Sequence, residues 1–153
     1  MKNLKSKIVF ITGATSGIGK AAVYQFAESG ADLILTARRE NILQEIAEDI
    51  KSKYAVNVLI MSMDVQNYED VKSKIESLDD RWNKIDILLN NAGLARGLST
   101  VQDGSVQDWN EMIDTNVKGL LFVSKCIIPL MLKKDSGHII NIGSIAGREV
   151  YPM

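Results

Sequence analysis

Gly13, Gly17 and Gly19 stand within Thr12-Gly13-Ala14-Thr15-Ser16-Gly17-Ile18-Gly19, directly after the apolar run Ile8-Val9-Phe10-Ile11 and directly before a helical pattern. A strand that breaks at three glycines into a helix makes a phosphate cradle. The missing side chains let the backbone turn sharply and approach a pyrophosphate, whose charge meets the unpaired N–H groups of the helix start. An adenine dinucleotide is the first ligand this implies, with Gly13, Thr15, Ser16, Gly17, Ile18 and Gly19 as candidate contacts. A triphosphate-binding P-loop would need Gly at position 14 and Ser or Thr at position 21, and alanine stands at both, which argues against triphosphate hydrolysis.

Leu35-Thr36-Ala37-Arg38-Arg39-Glu40 falls about where such a site places its ribose selector, roughly 20 residues past the glycines. A carboxylate there would accept from a free 2′-hydroxyl and repel a 2′-phosphate. Ala37 followed by two guanidiniums instead offers forked donors to a dianion, which favours NADP over NAD. The plainer reading makes Arg38 and Arg39 solvated charges at a helix start, where the dipole slightly disfavours them.

The elements that must hold these residues are legible as alternating strand and helix. Runs of strand length, rich in Ile, Val and Leu, occur at Lys7 to Thr12, Asp32 to Thr36, Asn57 to Met63, Ile85 to Leu89 and His138 to Ile142. They lack polar alternation, as strands buried on both faces do. Helical patterns lie between them at Ile18 to Ser29, Glu40 to Lys53, Tyr68 to Arg81 and Val106 to Leu132. Asn67 and Ser105 are expected helix caps, and Gly30 an expected helix terminator. The pattern implies an α/β doubly wound parallel sheet of order 3-2-1-4-5, with a ligand crevice where strands 1 and 4 diverge. No repeat or linker divides the chain, so residues 1–153 read as one domain.

Of the 153 residues, 46% are hydrophobic, enough for a core, and the net charge of −1 provides no field to gather nucleic acid. A small-molecule substrate is expected, with no nucleic-acid or membrane partner. The apolar run near the N-terminus ends at Gly13, so no export signal is expected; Gly119 to Leu132, interrupted by Lys125 and Pro129, reads as too short to span a bilayer. Cys126 is the only cysteine, which excludes an internal disulfide and a cysteine metal cluster and suits the cytoplasm; no metal site is expected.

Taken together, Thr12 to Gly19, Asp64-Val65, Asn90-Asn91-Ala92-Gly93, Asn116 and Asn141-Ile142-Gly143-Ser144 occur in an order that resembles a classical short-chain dehydrogenase/reductase, from about Lys7 onward. Within that family the stretches from Thr36, Asn90, Asp114 and Gly137 look like the NADP-dependent 3-hydroxy acid group, acting on compounds such as serine or allo-threonine. The resemblance implies a Rossmann-type sheet and hydride transfer between NADP and a small hydroxy or carbonyl substrate. It implies that Asp64 accepts from the adenine amino group with Val65 near the ring. Residue types alone leave that open, since a turn-forming Asp and a core Val fit equally. It places Asn91, Ala92 and Gly93 beside the cofactor ribose, while Asn90 is expected to tie strands together. Ser144 is implied to orient substrate, and Asn116, a poor helix former inside a helical pattern, to hold a water serving a catalytic lysine. Gly143 departs from the commoner serine.

His138, Trp82, Trp109, Met61, Met63 and Cys126 read as structural residues. The family's chemistry also needs a Tyr-x-x-x-Lys pair about a dozen residues after the serine. Tyr151, followed by Pro152 and without a lysine four positions on, does not supply it. A tyrosine base near neutral pH needs its pKa of about 10 lowered by roughly 3 units, about 4 kcal/mol, which a lysine helps provide. The expectation is therefore the N-terminal part of a longer enzyme domain, with further strands beyond the fifth. By resemblance the complete form is a dimer or tetramer through the helix Val106 to Leu132. A non-catalytic NADP-binding module is the alternative. A methyltransferase using S-adenosylmethionine would want an acidic residue where Ala37 and Arg38 stand.

Overall fold

The computed structural model describes residues 3–149; Tyr151 lies outside them. Ile8–Thr12 (β1), Asp32–Ala37 (β2), Val58–Ser62 (β3), Ile87–Asn90 (β4) and His138–Asn141 (β5) form one parallel sheet in the order β3-β2-β1-β4-β5, as expected. The helices are Gly17–Glu28 (α1), Glu40–Lys53 (α2), Tyr68–Glu76 (α3), Val106–Ile113 (α4) and Leu120–Lys133 (α5). Neighbouring strand residues point to opposite faces, so β1 needs apolar side chains throughout. Val9 and Ile11 join Leu33 and Leu35 beneath α1 and α2, whereas Ile8 and Phe10 join Ile34 and Leu88 beneath α3 and α5.

β5 departs from this rule. Among the described residues it pairs on one side only, with β4, and His138, Ile139 and Asn141 are exposed. α3 stops at Glu76 rather than continuing to Arg81, because the Asp79 carboxylate accepts from the backbone N–H groups of Arg81 and Trp82, 2.9 Å each, and turns the chain. Asn67 and Ser105 cap as expected, accepting from the N–H groups of Asp70 and Asp108. Gly30, at φ +86°, ends α1.

The expected single helix Val106 to Leu132 contains a π-helical turn, Asp114–Gly119, between α4 and α5. Lys125 and Pro129 do not interrupt it. By length and composition alone the path Val106–Lys133, 28 residues long, passes for a membrane span, because it extends well beyond the run Gly119 to Leu132 that reads as too short. One face is nevertheless committed to the sheet: Val123, Ile127 and Met131 are buried beside Phe10 and Leu88.

Two carboxylates hold the N-terminal ends of the strands. Asp32, at the start of β2, accepts from the backbone N–H of Asn57 at 2.8 Å and from Arg81 at 3.1 Å. Asp86, just before β4, accepts from Lys134 at 2.7 Å, the Ile8 N–H at 2.9 Å and Lys7 at 3.1 Å, and its side chain is 13% exposed. Partial burial alone would raise the Asp86 pKa, but Lys134, the Ile8 N–H and Lys7 outweigh it and hold the carboxyl below its ordinary range. A lowered native pKa stabilises the fold above the unfolded value of about 3.9, and that stabilisation is lost as pH falls through the native value. Asp86→Ala is expected to cost about 2–3 kcal/mol in urea unfolding at pH 7 and to flatten the acid limb of the stability curve.

Candidate functional site

The glycine loop leaves β1 at Thr12 and enters α1 at Gly17. Gly13 and Gly17 have φ of +66° and +53°, a region side chains disfavour. Their surroundings separate their roles. A Cβ on Gly13 would lie 2.9 Å from the Ala92 Cα, and one on Gly19 would lie 2.3 Å from both the Gly13 carbonyl oxygen and Asn91 Nδ2. These two glycines let the loop, α1 and the β4 end pack together. Gly17 faces open space, with nothing within 4 Å of where a Cβ would lie, so its missing side chain relieves no clash within the protein and leaves that side of the loop open.

The start of α1 is prepared for an anion. Ser16 occupies the cap position in extended backbone, its side chain makes no cap hydrogen bond, and the first turn carries no acidic residue. The first N–H groups of the helix thus keep their partial positive charge. Ile18, 62% exposed in that turn, offers an apolar side chain against which a flat ring could lie. This cradle fits a dinucleotide pyrophosphate.

Thr12 is the organising residue that the sequence alone does not single out. Its buried hydroxyl oxygen accepts from the N–H groups of Asn91 and Ala92, 2.9 Å each. In return Asn91 Nδ2 donates to the carbonyls of Thr12 and Gly13 at 3.0 and 3.1 Å. The Asn91 carboxamide therefore joins the two loops, leaving Ala92 and Gly93 as the small residues at the crevice. Asn90 ties strands, as expected: its Nδ2 donates to Asn141 on β5 at 2.9 Å and to Ser124 on α5 at 3.0 Å.

At the end of β2, Arg39 donates to the Thr15 hydroxyl at 2.9 Å, so its guanidinium reaches the glycine loop while the residue itself stays exposed. Arg38 is exposed beside it, and its charge reaches Glu111 on α4. The main hold on Glu111 is Arg96, which donates from two nitrogens at 3.0 and 3.2 Å and depresses the Glu111 pKa. Asp64 follows β3; its Oδ1 accepts from the Gln66 N–H at 3.0 Å in a local turn, while Oδ2 has no partner among the described residues. Both readings of Asp64 can thus hold together. Val65 is 8% exposed and packs in the core, where a Cβ on Gly119 would come within 2.7 Å of it.

Asn116 lies in the π-helical turn, a conformation that often marks function. Its side chain grips the backbone of Leu94 at both groups, accepting from N–H at 2.9 Å and donating to C=O at 2.7 Å. The carboxamide is thereby committed to the loop after β4. Ser144 stands three residues past β5, and its Oγ accepts from the Ala146 N–H at 3.1 Å, which leaves the hydroxyl proton free to donate elsewhere.

The residues read as structural behave variously. Met63 is buried, Trp82 packs at the edge of the core, and burial pushes the Cys126 thiol pKa up. Trp109 remains 37% exposed while lying against Gly104. His138 is exposed. No group of three metal-ligating side chains occurs among the described residues.

The profile of the family described as short chain dehydrogenase matches residues 7–153. The chain is 43% identical over 152 residues to an NADP-dependent 3-hydroxy acid dehydrogenase of Schizosaccharomyces pombe, covering 99% of this chain and 59% of that protein. It is 43% identical over 148 residues to sulfoacetaldehyde reductase 2 of Chromohalobacter salexigens, covering 96% and 58%. Among solved structures, the closed form of serine dehydrogenase complexed with NADP+ superposes with a TM-score of 0.89 at 42% identity, covering 94% of this chain and 56% of that one. The chain thus spans less than three fifths of the length of these relatives.

Proposed function

The chain belongs to the short-chain dehydrogenase family, and on that premise we propose that it is the NADP-binding part of an oxidoreductase acting on a small 3-hydroxy acid or the matching carbonyl compound. Residues 1–153 would form the N-terminal portion of a longer catalytic domain. The observation that carries the proposal is the uncapped, carboxylate-free start of α1 facing the open side of Gly17, with Arg39 lying across it onto Thr15. Relatives whose names specify NADP and 3-hydroxy acids point the same way.

In this reading the α1 N–H groups and Gly17 hold the pyrophosphate, and Arg38 and Arg39 hold the 2′-phosphate. Asp64 meets the adenine amino group through Oδ2, and Ala92 and Gly93 admit the ribose. When bound, the cofactor supplies or accepts the hydride. Ser144 donates a hydrogen bond from its hydroxyl to the reacting carbonyl oxygen, or accepts one from the alcohol. Asn116 fixes Leu94 and with it the loop bearing Ala92 and Gly93. The family resemblance implies a Tyr-x-x-x-Lys pair as the proton partner.

We also propose that a second copy covers the outer face of α4 and α5, where Ile113, Val117, Leu121 and Leu132 are more than half exposed. Fluorescence titration of the 153-residue chain with NADPH and NADH tests the cofactor reading. NADPH is expected to bind at least tenfold more tightly. Equal affinity, or binding of neither, would overturn it. NADPH binding without turnover in the longer protein would favour the alternative, a non-catalytic module.

A further inference from the structure

We propose that Arg148 recognises the anionic end of the substrate, so that the site selects compounds bearing a carboxylate or sulfonate on the carbon chain that carries the reacting oxygen. The inference rests on the reading of Ser144 as the substrate-orienting hydroxyl.

Ser144 and Arg148 line one open concavity of about 590 Å3, together with Ile145 and Glu149. A short turn sets their spacing. The Ala146 N–H donates to Ser144 Oγ at 3.1 Å, the Gly147 N–H to the Ser144 carbonyl at 3.1 Å, and the Arg148 N–H to the Ile145 carbonyl at 2.8 Å. Ser144 and Arg148 therefore sit at the two ends of one turn, bordering the same space.

The other arginines of the chain have different tasks. Arg81 donates to Asp32 at the far end of the sheet, and Arg96 is held by both oxygens of Glu111. Arg39 reaches Thr15, with Arg38 beside it at the end of β2. Arg148 alone borders Ser144, and its side chain has no hydrogen-bond or ion-pair partner among the described residues. A planar guanidinium with its donors free binds a carboxylate or sulfonate through two parallel hydrogen bonds. A hydroxyl for the reacting oxygen and a fork for the anion would hold a short hydroxy acid at two points.

Glu149 lines the same concavity and makes no ion pair with Arg148. Its negative charge opposes an incoming anion without neutralising the guanidinium. Arg148 and Glu149 thus push anion affinity in opposite directions, and both directions can be measured.

The test is an NMR titration of the 153-residue chain with 3-hydroxypropanoate and with its neutral amide, following the amide resonances of residues 144–149. The wild-type chain is expected to prefer the acid by about tenfold or more. Arg148→Gln should abolish the preference while leaving amide affinity unchanged, Arg148→Lys should restore part of it, and Glu149→Gln should strengthen acid binding. Equal affinity for acid and amide in the wild type, or an undiminished preference in Arg148→Gln, would overturn the proposal. An NADPH titration of the same samples judges the cofactor reading separately: NADPH binding with no acid preference removes only the role of Arg148.

Discussion

Gly19→Ala is expected to abolish dinucleotide binding and to destabilise the chain by about 3 kcal/mol, whereas Gly17→Ala should abolish binding with a smaller loss of stability, about 1–2 kcal/mol. The contrast follows from what each new methyl would meet. At position 19 it lands 2.3 Å from a backbone carbonyl oxygen and from Asn91 Nδ2, so α1 must move away from the β4 end. Overpacking of that kind costs about 1–3 kcal/mol, and here the displaced atoms include backbone as well as the tip of a side chain. At position 17 the methyl meets no protein atom, and the cost is that of a left-handed alanine, about 1–2 kcal/mol. The methyl would nevertheless occupy the space proposed for the pyrophosphate. Thermal unfolding and NADPH titration of the two variants separate the effects. Undiminished NADPH binding by Gly17→Ala would remove the pyrophosphate from this loop.

The double variant Arg38→Asp, Arg39→Ala should bind NADPH about 100-fold more weakly and NADH no more weakly than the wild type does. Each charge-assisted hydrogen bond to a phosphate contributes about 1.5–3 kcal/mol, and at the lower figure removing both guanidiniums corresponds to about two factors of ten. The aspartate adds repulsion of the 2′-phosphate and an acceptor for a 2′-hydroxyl. Raising the salt concentration should weaken NADPH binding to the wild type more than to the variant, because the exposed Arg38 acts through a screened field. Equal losses for both cofactors would mean that the substitutions had damaged the cradle through the Arg39–Thr15 hydrogen bond and did not select the phosphate. Arg39→Ala alone, which removes that hydrogen bond without adding a negative charge, distinguishes the two causes.

The sheet is legible because buried parallel strands are written as uninterrupted Ile, Val and Leu between glycine and polar breaks, and right-handed crossovers then leave one order for them. What escapes the sequence depends on interactions between distant segments or on single side-chain hydrogen bonds. The end of α3 is decided by one aspartate oxygen taking two N–H groups, an event that helical periodicity does not encode. The π-helical turn at Asp114–Gly119 leaves the apolar pattern nearly unchanged, and Asn116 as a poor helix former is its one visible trace. Pro129 reads as an interruption, yet the helix runs through it. Within the site, the glycine loop and the two arginines are readable from position. The different tasks of the three glycines are not, because Ala92 and Asn91, which crowd Gly13 and Gly19, lie more than seventy residues away. The same distance hides Thr12, whose hydroxyl gains its importance only when β4 is beside β1.

The two ends of the sheet are held by different chemistry. At the strand starts, Asp32 and Asp86 gather donors from separate elements; at the strand ends lie the glycine loop, the arginines and Ser144. Groups that far apart, sharing no partner, contribute to stability nearly additively. The molecule is thus modular along its strand axis: an engineer could harden one pole against heat or acid while a library at the opposite pole retunes ligand preference, and neither campaign would have to be repeated after the other.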